Sequence, residues 1–160
     1  PFFGICLGMQ CAVVEYFRNV LGVSDAASTE VDGDTNNPVI DLMLDQKSIS
    51  KKGGTMRLGS YKWKLVRGSL AYKAYGSSEI NERHRHRYEF NNSYLEQLKS
   101  SELKPVGIYP DNKLVEVVEL KGHPYFIGVQ YHPELKSTVE SPHPLFVSFV
   151  EAAAAYKLNK

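Results

Sequence analysis

The 160-residue sequence has no apolar run near the roughly 18 residues that a membrane-spanning helix requires. It also has no basic segment followed by an apolar one, which is the pattern of a secretory signal. Charges of the two signs nearly balance, with 19 Lys and Arg residues against 18 Asp and Glu residues and a net charge of +1. A balanced charge favours neither nucleic acid nor a membrane surface as a partner. We therefore expect a soluble, cytoplasmic protein without such partners.

Cysteine is scarce, because Cys6 and Cys11 are the only two in the sequence. Their spacing is not that of a C-x-x-C motif, and there are no further cysteines to build a disulfide framework. We expect Cys11 to lie in the core, which leaves Cys6 as the thiol available for chemistry.

Two loops resemble ion or nucleotide sites but lack the residues that such sites require. Residues 32–36 (D-G-D-T-N) begin like a calcium loop, yet Asn37 replaces the turn glycine and Met43 replaces the bidentate glutamate. Residues 54–59 have the glycine spacing of a phosphate-binding loop, but Ser60 stands where the lysine is needed. We therefore expect no metal and no cofactor in this segment.

The most informative stretch is G-I-C-L-G-M-Q at residues 4–10. A short apolar run precedes Cys6, and a helical pattern of apolar residues follows it as far as Val20. Gly4 and Gly8 lack the Cβ atoms that would clash in a sharp turn between a strand and a helix. Unpaired N–H groups at the start of the helix favour a thiolate. The pattern predicts a nucleophile at Cys6, and the alternative is a buried, inert cysteine.

A candidate base lies near the other end of the chain, in Q-Y-H-P-E at residues 130–134. Residues 125–131 have the pattern of a strand, and a residue before proline is held in the extended region. His132 and Glu134 should then project to the same side of the backbone. A Cys-His-Glu set supplies a nucleophile, a general base and a group that orients the base. The alternative for His132 is a polar residue at a strand end with no catalytic role.

The G-I-C-L-G-M-Q and Y-H-P-E motifs together resemble those of class I (triad) glutamine amidotransferases. Three further stretches, residues 28–30, 53–59 and 82–89, resemble the glutaminase domains of the CTP synthase family. The resemblance covers nearly the whole chain. It implies an α/β fold with an open, mostly parallel, flavodoxin-like sheet and flanking helices. Residues 1–160 would form one partial glutaminase domain, since the resemblance implies upstream strands and a separate synthetase domain before Pro1.

The resemblance also implies a set of glutamine-binding residues. Arg87 would hold the α-carboxylate, for which a planar guanidinium is a suitable donor, and Glu30 would hold the α-ammonium group. The side-chain end of the substrate would contact Gln10 and the backbone of Leu7, Gly8, Met9 and Gln10. The alternative for both charged residues is a surface ion pair. Residues 83–87 could also be a nucleic-acid patch, but the flanking glutamates and the lack of interleaved aromatic residues argue against it.

The implied reaction is the hydrolysis of L-glutamine. The Cys6 thiolate would attack the side-chain amide, and His132, oriented by Glu134, would protonate the departing ammonia and then activate water. The Leu7 N–H would be one oxyanion donor, and in the family a second donor comes from a loop upstream of the nucleophile. Losing one such donor costs on the order of 10² to 10³ in rate, so we expect residues 1–160 alone to be nearly inactive.

In the complete enzyme the resemblance implies that ammonia aminates UTP to CTP in the synthetase domain. ATP and Mg²⁺ would act there, GTP would be an activator, and the enzyme would be a homotetramer. Two alternatives remain. The chain could be another triad amidotransferase or a γ-glutamyl hydrolase, or it could be a non-catalytic regulatory domain of the same fold.

The rest of the sequence predicts the scaffold. Residues 24–59 show little sustained periodicity beyond a short apolar run at residues 38–44, so we expect a loop-rich connection there. Residues 61–65 alternate as a half-buried strand, and residues 106–109 and 114–120 form a hairpin pattern. A last helix begins at Pro144, with an apolar stripe that should face the sheet.

Overall fold

The computed structural model describes residues 1–42 and 56–158. Within these ranges the strands are β1 (Phe2–Ile5), β2 (Ala26–Ser28), β3 (Asn37–Leu42), β4 (Arg57–Leu65), β5 (Glu79–His86), β6 (Tyr88–Phe90), β7 (Leu103–Ile108), β8 (Val115–Leu120) and β9 (Phe126–Val129). The helices are α1 (Leu7–Asn19), α2 (Leu70–Tyr75), α3 (Leu95–Ser100) and α4 (Pro144–Leu158), and short 3₁₀ helices cover Asn92–Tyr94 and Pro133–Lys136.

The strands form one six-stranded sheet in the order β1-β9-β8-β7-β4-β5 and one three-stranded sheet in the order β2-β3-β6. The α/β class with flanking helices is confirmed. Among the described strands, parallel pairing is confined to β1 with β9 and β2 with β3, and the other ladders are antiparallel. The sheet is therefore mixed, and its parallel pair joins the first strand of the chain to the last.

The expected loop-rich connection at residues 24–59 is wrong where the structure describes it. β2 and β3 pair with each other there, and β3 continues into a ladder with β6. The strands are short and contribute only a few residues each, so they leave little periodicity in the sequence. Met43 and residues 53–55 of the glycine-rich motif lie outside the described residues.

Helices cover both faces of the six-stranded sheet. On one face α1 buries Met9, Val13 and Phe17 against the sheet and against the three-stranded sheet. Gly128 of β9 gives Met9 the room to approach, since a Cβ there would come 3.1 Å from the Met9 Cγ atom. On the other face Leu145 of α4 packs with Trp63, Ile127 and Val129. The expected stripe on α4 does face the sheet at its start but ends before Tyr156, which is 47% exposed.

Cys11 is exposed, so its prediction as a core residue is wrong. In a helix with 3.6 residues per turn, position 11 lies about 200° around the axis from Met9, on the face turned away from the sheet. Within the described ranges, no helix is long and apolar enough to cross a bilayer. No group of three or more His, Cys, Asp or Glu residues in residues 1–42 and 56–158 could hold a metal ion.

Candidate active site

Cys6 occupies a strained turn between β1 and α1. Its φ of 48° and ψ of −103° lie in a region that residues with a side chain rarely adopt. The turn brings Gly4 so close to Gly8 that a Cβ on Gly4 would lie 2.8 Å from the Gly8 carbonyl carbon. The predicted need for glycine is therefore confirmed at Gly4. It is wrong at Gly8, where an added Cβ would meet nothing within 4 Å.

The parallel pairing of β1 with β9 brings the two motifs to one edge of the sheet. Ile5 stands opposite Val129 in the register, and the Cys6 N–H donates to the Val129 carbonyl at 2.7 Å. The residue after β1 and the residues after β9 are therefore neighbours at the carboxyl ends of two parallel strands, the position at which open α/β sheets place their sites.

Burial raises the pKa of the Cys6 thiol above its ordinary value, and the nearby Glu134 and Glu30 carboxylates raise it further. The Leu7 backbone N–H and the Gln130 side chain lower the pKa of the thiol, but they do not outweigh burial. As predicted, the N–H group at the start of the helix lowers the pKa of the thiol. The prediction of a favoured thiolate is wrong, because burial raises the pKa by more. A thiol in this state needs a base before it can attack.

His132 and Glu134 form the pair that the sequence predicts. The His132 Nδ1 atom lies 2.6 Å from Glu134 Oε1. A carboxylate only accepts hydrogen bonds, so Nδ1 carries the proton and Nε2 is the basic nitrogen. His132 Nε2 is buried and has no hydrogen-bond partner among the described residues. The predicted backbone is wrong, however, because Pro133–Lys136 is a 3₁₀ helix rather than an extended segment.

A cleft of about 240 Å³ opens at this edge of the sheet. The cleft is lined by five predicted residues, Cys6, Leu7, Gln10, Glu30 and Arg87, and by Met56, Arg85, His86 and Tyr88. The other predicted residues, Gly8, Met9, His132 and Glu134, do not line it. The Met9 side chain is fully buried in the core. The cleft thus brings a thiol, a carboxylate and two guanidinium groups together in a volume that suits a small molecule.

Sequence reasoning missed Gln130, which precedes Y-H-P-E. Its side chain is 1% exposed, and its Nε2 atom lies 3.6 Å from the Cys6 sulfur. Its Oε1 atom accepts a hydrogen bond from Gln10 Nε2 at 3.2 Å. The sequence did carry a signal, since Gln130 is the first residue after the strand that pairs with β1.

The first four residues of the R-H-R-H-R block end β5, and Arg87 follows the strand. Alternation along the strand divides the arginines from the histidines. Arg83 and Arg85 are exposed, whereas His84 and His86 are buried. His84 Nδ1 lies 3.0 Å from His86 Nε2, and His86 Nδ1 lies 3.0 Å from the Tyr88 carbonyl oxygen. Burial lowers the pKa of His84 to about 2 and that of His86 to about 3. Both rings are therefore neutral near pH 7.

Behind these histidines lies a buried ion pair. Arg57 Nη1 lies 2.6 Å from Glu116 Oε1, and Glu116 Oε2 lies 3.6 Å from His84 Nε2. Burial raises the pKa of Glu116 to about 7 although Arg57 opposes the shift. No motif in the sequence indicates this contact, because its members come from β4, β5 and β8.

Glu82, in the middle of β5, is a second buried carboxylate, with 2% exposure. Its Oε1 atom accepts hydrogen bonds from the Tyr75 hydroxyl and from His143 Nε2, both at 3.0 Å. The Tyr75 hydroxyl also lies 3.0 Å from that of Tyr131, and Lys136 Nζ lies 3.6 Å from Glu82. Glu82 therefore supports the residues on both sides of His132 and Glu134.

Comparison with known proteins gives the family and the fold. The family model "Glutamine amidotransferase class-I" matches residues 1–152. A CTP synthase from Cytophaga hutchinsonii is 62% identical over 160 residues, which are 100% of this chain and 30% of that protein. A CTP synthase from Flavobacterium psychrophilum is 63% identical over 157 residues, which are 98% of this chain and 29% of that protein. The chain thus spans about 30% of the length of these relatives.

Among solved structures, the chain is similar to the glutaminase domain of Trypanosoma brucei CTPS with bound acivicin. The TM-score is 0.89 and the identity 38%, over 97% of this chain and 60% of that one. A Thermoplasma acidophilum protein described as a subunit of GMP synthase has a TM-score of 0.58 at 18% identity, over 98% of this chain and 59% of that one, which shows the fold alone. Since the family model covers residues 1–152, the chain belongs to the class I glutamine amidotransferase family.

Proposed function

We propose that this chain is the glutaminase domain of a CTP synthase and that it hydrolyses L-glutamine to supply ammonia. The observation that carries the proposal is the cleft, whose lining contains the Cys6 thiol and charged groups of both signs. The relatives of 62% and 63% identity are CTP synthases. The T. brucei domain binds acivicin, a glutamine analogue.

Substrate recognition follows from the charges of the lining. A free amino acid needs one receptor for its carboxylate and one for its ammonium group. Arg87 offers a planar donor pair to the carboxylate, and Glu30 offers a carboxylate to the ammonium group. Leu7 and Gln10 then line the cleft beside Cys6, where the side-chain amide is expected to lie. Gly8 and Met9 take part through the backbone of the first turn of α1.

The reaction proceeds in two steps, acylation and hydrolysis. His132 removes the thiol proton, and the Cys6 sulfur attacks the amide carbon of glutamine to form a tetrahedral intermediate. The Leu7 N–H donates to the oxyanion. The carbon–nitrogen bond then breaks, the His132 imidazolium gives its proton to the departing ammonia, and a thioester remains on Cys6. His132 next takes a proton from water, which attacks the thioester and releases glutamate and the thiol.

Glu134 makes this proton transfer possible. Its carboxylate holds the Nδ1 proton at 2.6 Å, so Nε2 is the nitrogen that exchanges protons, and the charge stabilises the imidazolium that forms. The same carboxylate raises the pKa of the thiol.

The ammonia would pass to a synthetase domain of the same polypeptide, where UTP would be aminated to CTP with ATP and Mg²⁺ and with GTP as activator. We place this activity in a cytoplasmic homotetramer. None of these nucleotides or metal ions would be held by the residues described in this chain.

The test is a comparison of two nitrogen sources in the protein that joins this chain to its synthetase domain. Cys6→Ala should abolish CTP formation from glutamine and leave CTP formation from added ammonium salt unchanged. Glutamine-dependent synthesis that persists in Cys6→Ala would contradict the role of Cys6. Failure of the unsubstituted protein to form CTP from either source would contradict the synthetase assignment.

A further inference from the structure

We propose that the Gln10 and Gln130 amides form a positioning pair for the nucleophile. Gln130 donates its amide N–H to the Cys6 sulfur, and Gln10 keeps the Gln130 amide in this donating orientation. The inference deepens the proposed function, because it rests on Cys6 being the group that attacks glutamine. Gln130 acts through Cys6 and is a positioning residue rather than a catalytic one.

The orientation of the pair follows from the Tyr88 carbonyl. A carbonyl oxygen only accepts hydrogen bonds, and this one lies 2.8 Å from Gln10 Nε2 and 3.0 Å from His86 Nδ1. The NH₂ end of the Gln10 amide must therefore face Tyr88. The same NH₂ group lies 3.2 Å from the Gln130 amide oxygen, so its second proton is donated there.

Once its oxygen faces Gln10, the Gln130 amide can present only its NH₂ group to Cys6. Gln130 Nε2 lies 3.6 Å from the sulfur, a distance compatible with the larger radius of sulfur. A flipped Gln130 amide would turn its oxygen to the sulfur and its NH₂ group to the Gln10 NH₂ group, leaving donors opposed. The network thus excludes the flipped orientation.

Burial makes the arrangement rigid. Gln130 is 1% exposed and Gln10 is 4% exposed, and the Gln130 backbone N–H is held by the Glu116 carbonyl at 2.9 Å. A donor in a buried site interacts more strongly with a developing negative charge than it would in water. The amide should therefore stabilise the anionic sulfur relative to the neutral thiol. This effect opposes that of the Glu134 and Glu30 carboxylates, which raise the pKa of the thiol.

The titratable and charged groups near the sulfur come from every element around the cleft. They are Glu30 after β2, Arg85 and His86 of β5, Arg87 before β6, Tyr88 of β6, and His132 and Glu134 after β9. The experiment must separate the amide pair from these groups, and it must not require glutamine.

The measurement is the rate of Cys6 alkylation by iodoacetamide between pH 6 and 10. Peptide mass spectrometry separates Cys6 from Cys11, whose exposed thiol serves as an internal control in the same sample. The variants are Gln130→Met, which removes the donor while keeping the side-chain length, and Gln10→Met, which removes only the support for the orientation. The same variants are also measured in a protein that carries His132→Gln. Any change in the midpoint of the Cys6 profile that remains there cannot come from the imidazole.

Gln130→Met should move the midpoint of the Cys6 profile upward by about one pH unit, which lowers the thiolate fraction near pH 7 about tenfold. Gln10→Met should give a smaller shift in the same direction, and Cys11 should not change. A Cys6 midpoint that is the same in both variants as in the unsubstituted chain would overturn the inference. If Gln130→Met does not fold, Gln10→Met decides by the same criterion.

This experiment is independent of the proposed function. Glutaminase activity is measured in the protein that joins this chain to its synthetase domain. A shifted Cys6 midpoint together with no glutaminase activity in that protein would support the amide pair and contradict the glutaminase assignment. An unshifted midpoint in a protein that does hydrolyse glutamine would contradict the amide pair alone.

Discussion

The two halves of the candidate site are held in place by different means. The nucleophile arm, residues 2–10, is positioned by backbone packing: Cys6 has a φ of 48°, and Gly4 touches the backbone of Gly8. The base arm, residues 126–136, is held by the backbone pairing of β9 and by the His132 N–H, which donates to the Arg83 carbonyl at 2.9 Å. Beyond the strand it depends in addition on side-chain hydrogen bonds. Glu134 holds His132, and the contacts of Glu82 support the residues on either side of that pair.

The difference implies different sensitivities. A sterically determined turn tolerates polar changes nearby but no added atom at its closest contact. A turn held by buried hydrogen bonds tolerates small changes in volume but not the loss of the shared acceptor, because its donors are then buried without partners. Two pairs of substitutions test this contrast.

The largest effect is expected in the base arm from Glu82→Ala. The substitution removes the buried carboxylate that accepts hydrogen bonds from the Tyr75 hydroxyl and His143 Nε2, and of these two groups Tyr75 keeps the Tyr131 hydroxyl at 3.0 Å. The loss of this shared acceptor should destabilise the protein by about 3 to 5 kcal/mol. Glutaminase activity of the variant that remains folded should also fall, because the residues around His132 lose their support. The free energy of unfolding in urea measures the first effect. Glutamate release by the protein that joins this chain to its synthetase domain measures the second.

The matched control is Glu79→Ala in the same strand. Glu79 lies 3.5 Å from Lys64, and the two side chains are 74% and 77% exposed, so its loss should cost less than about 0.5 kcal/mol. Equal costs for Glu82→Ala and Glu79→Ala would show that Glu82 does not hold the base arm.

A smaller effect is expected in the nucleophile arm from Gly4→Ala. The new Cβ would lie 2.8 Å and 2.9 Å from the carbonyl carbon and oxygen of Gly8. Backbone atoms cannot rotate away, so we expect a destabilisation of about 1 to 3 kcal/mol. Urea denaturation of the variant beside the unsubstituted chain gives the value.

Gly8→Ala provides the comparison within the same contact. An added Cβ at Gly8 meets nothing within 4 Å, and alanine has the higher helix propensity, so the change should be neutral or stabilising by up to about 1 kcal/mol. A destabilisation by Gly8→Ala as large as that of Gly4→Ala would mean that both glycines are needed for the turn.

The contrast also explains what the sequence could predict. The conformation of the nucleophile arm is determined by residues that are close in sequence. Its strand, turn and helix could therefore be predicted from residues 2–20 alone. His132 and Glu134 were found by their motif, and their 2.6 Å contact is confirmed. Their backbone was predicted wrongly, because the 3₁₀ helix at Pro133–Lys136 lies among contacts with residues such as Glu82 and Asn81 that are far away in sequence.

The β5 strand shows the same limit. The sequence indicates the arginines of R-H-R-H-R as candidate binding groups. In the structure, alternation along the strand instead buries Glu82, His84 and His86. Which side of a strand faces the core depends on the sheets and helices that cover it, and the block is polar on both sides. Gln130 was missed for a related reason, since its importance comes from the pairing of β1 with β9.

The central claim is that the two arms build one glutamine site around Cys6. The most direct test is treatment with an electrophilic glutamine analogue, with and without excess glutamine, followed by intact-mass measurement and peptide mapping. The account predicts one adduct, on Cys6, whose formation glutamine prevents, while Cys11 stays unmodified. Modification of Cys11 at a similar rate, or an adduct on Cys6 that excess glutamine does not suppress, would contradict it.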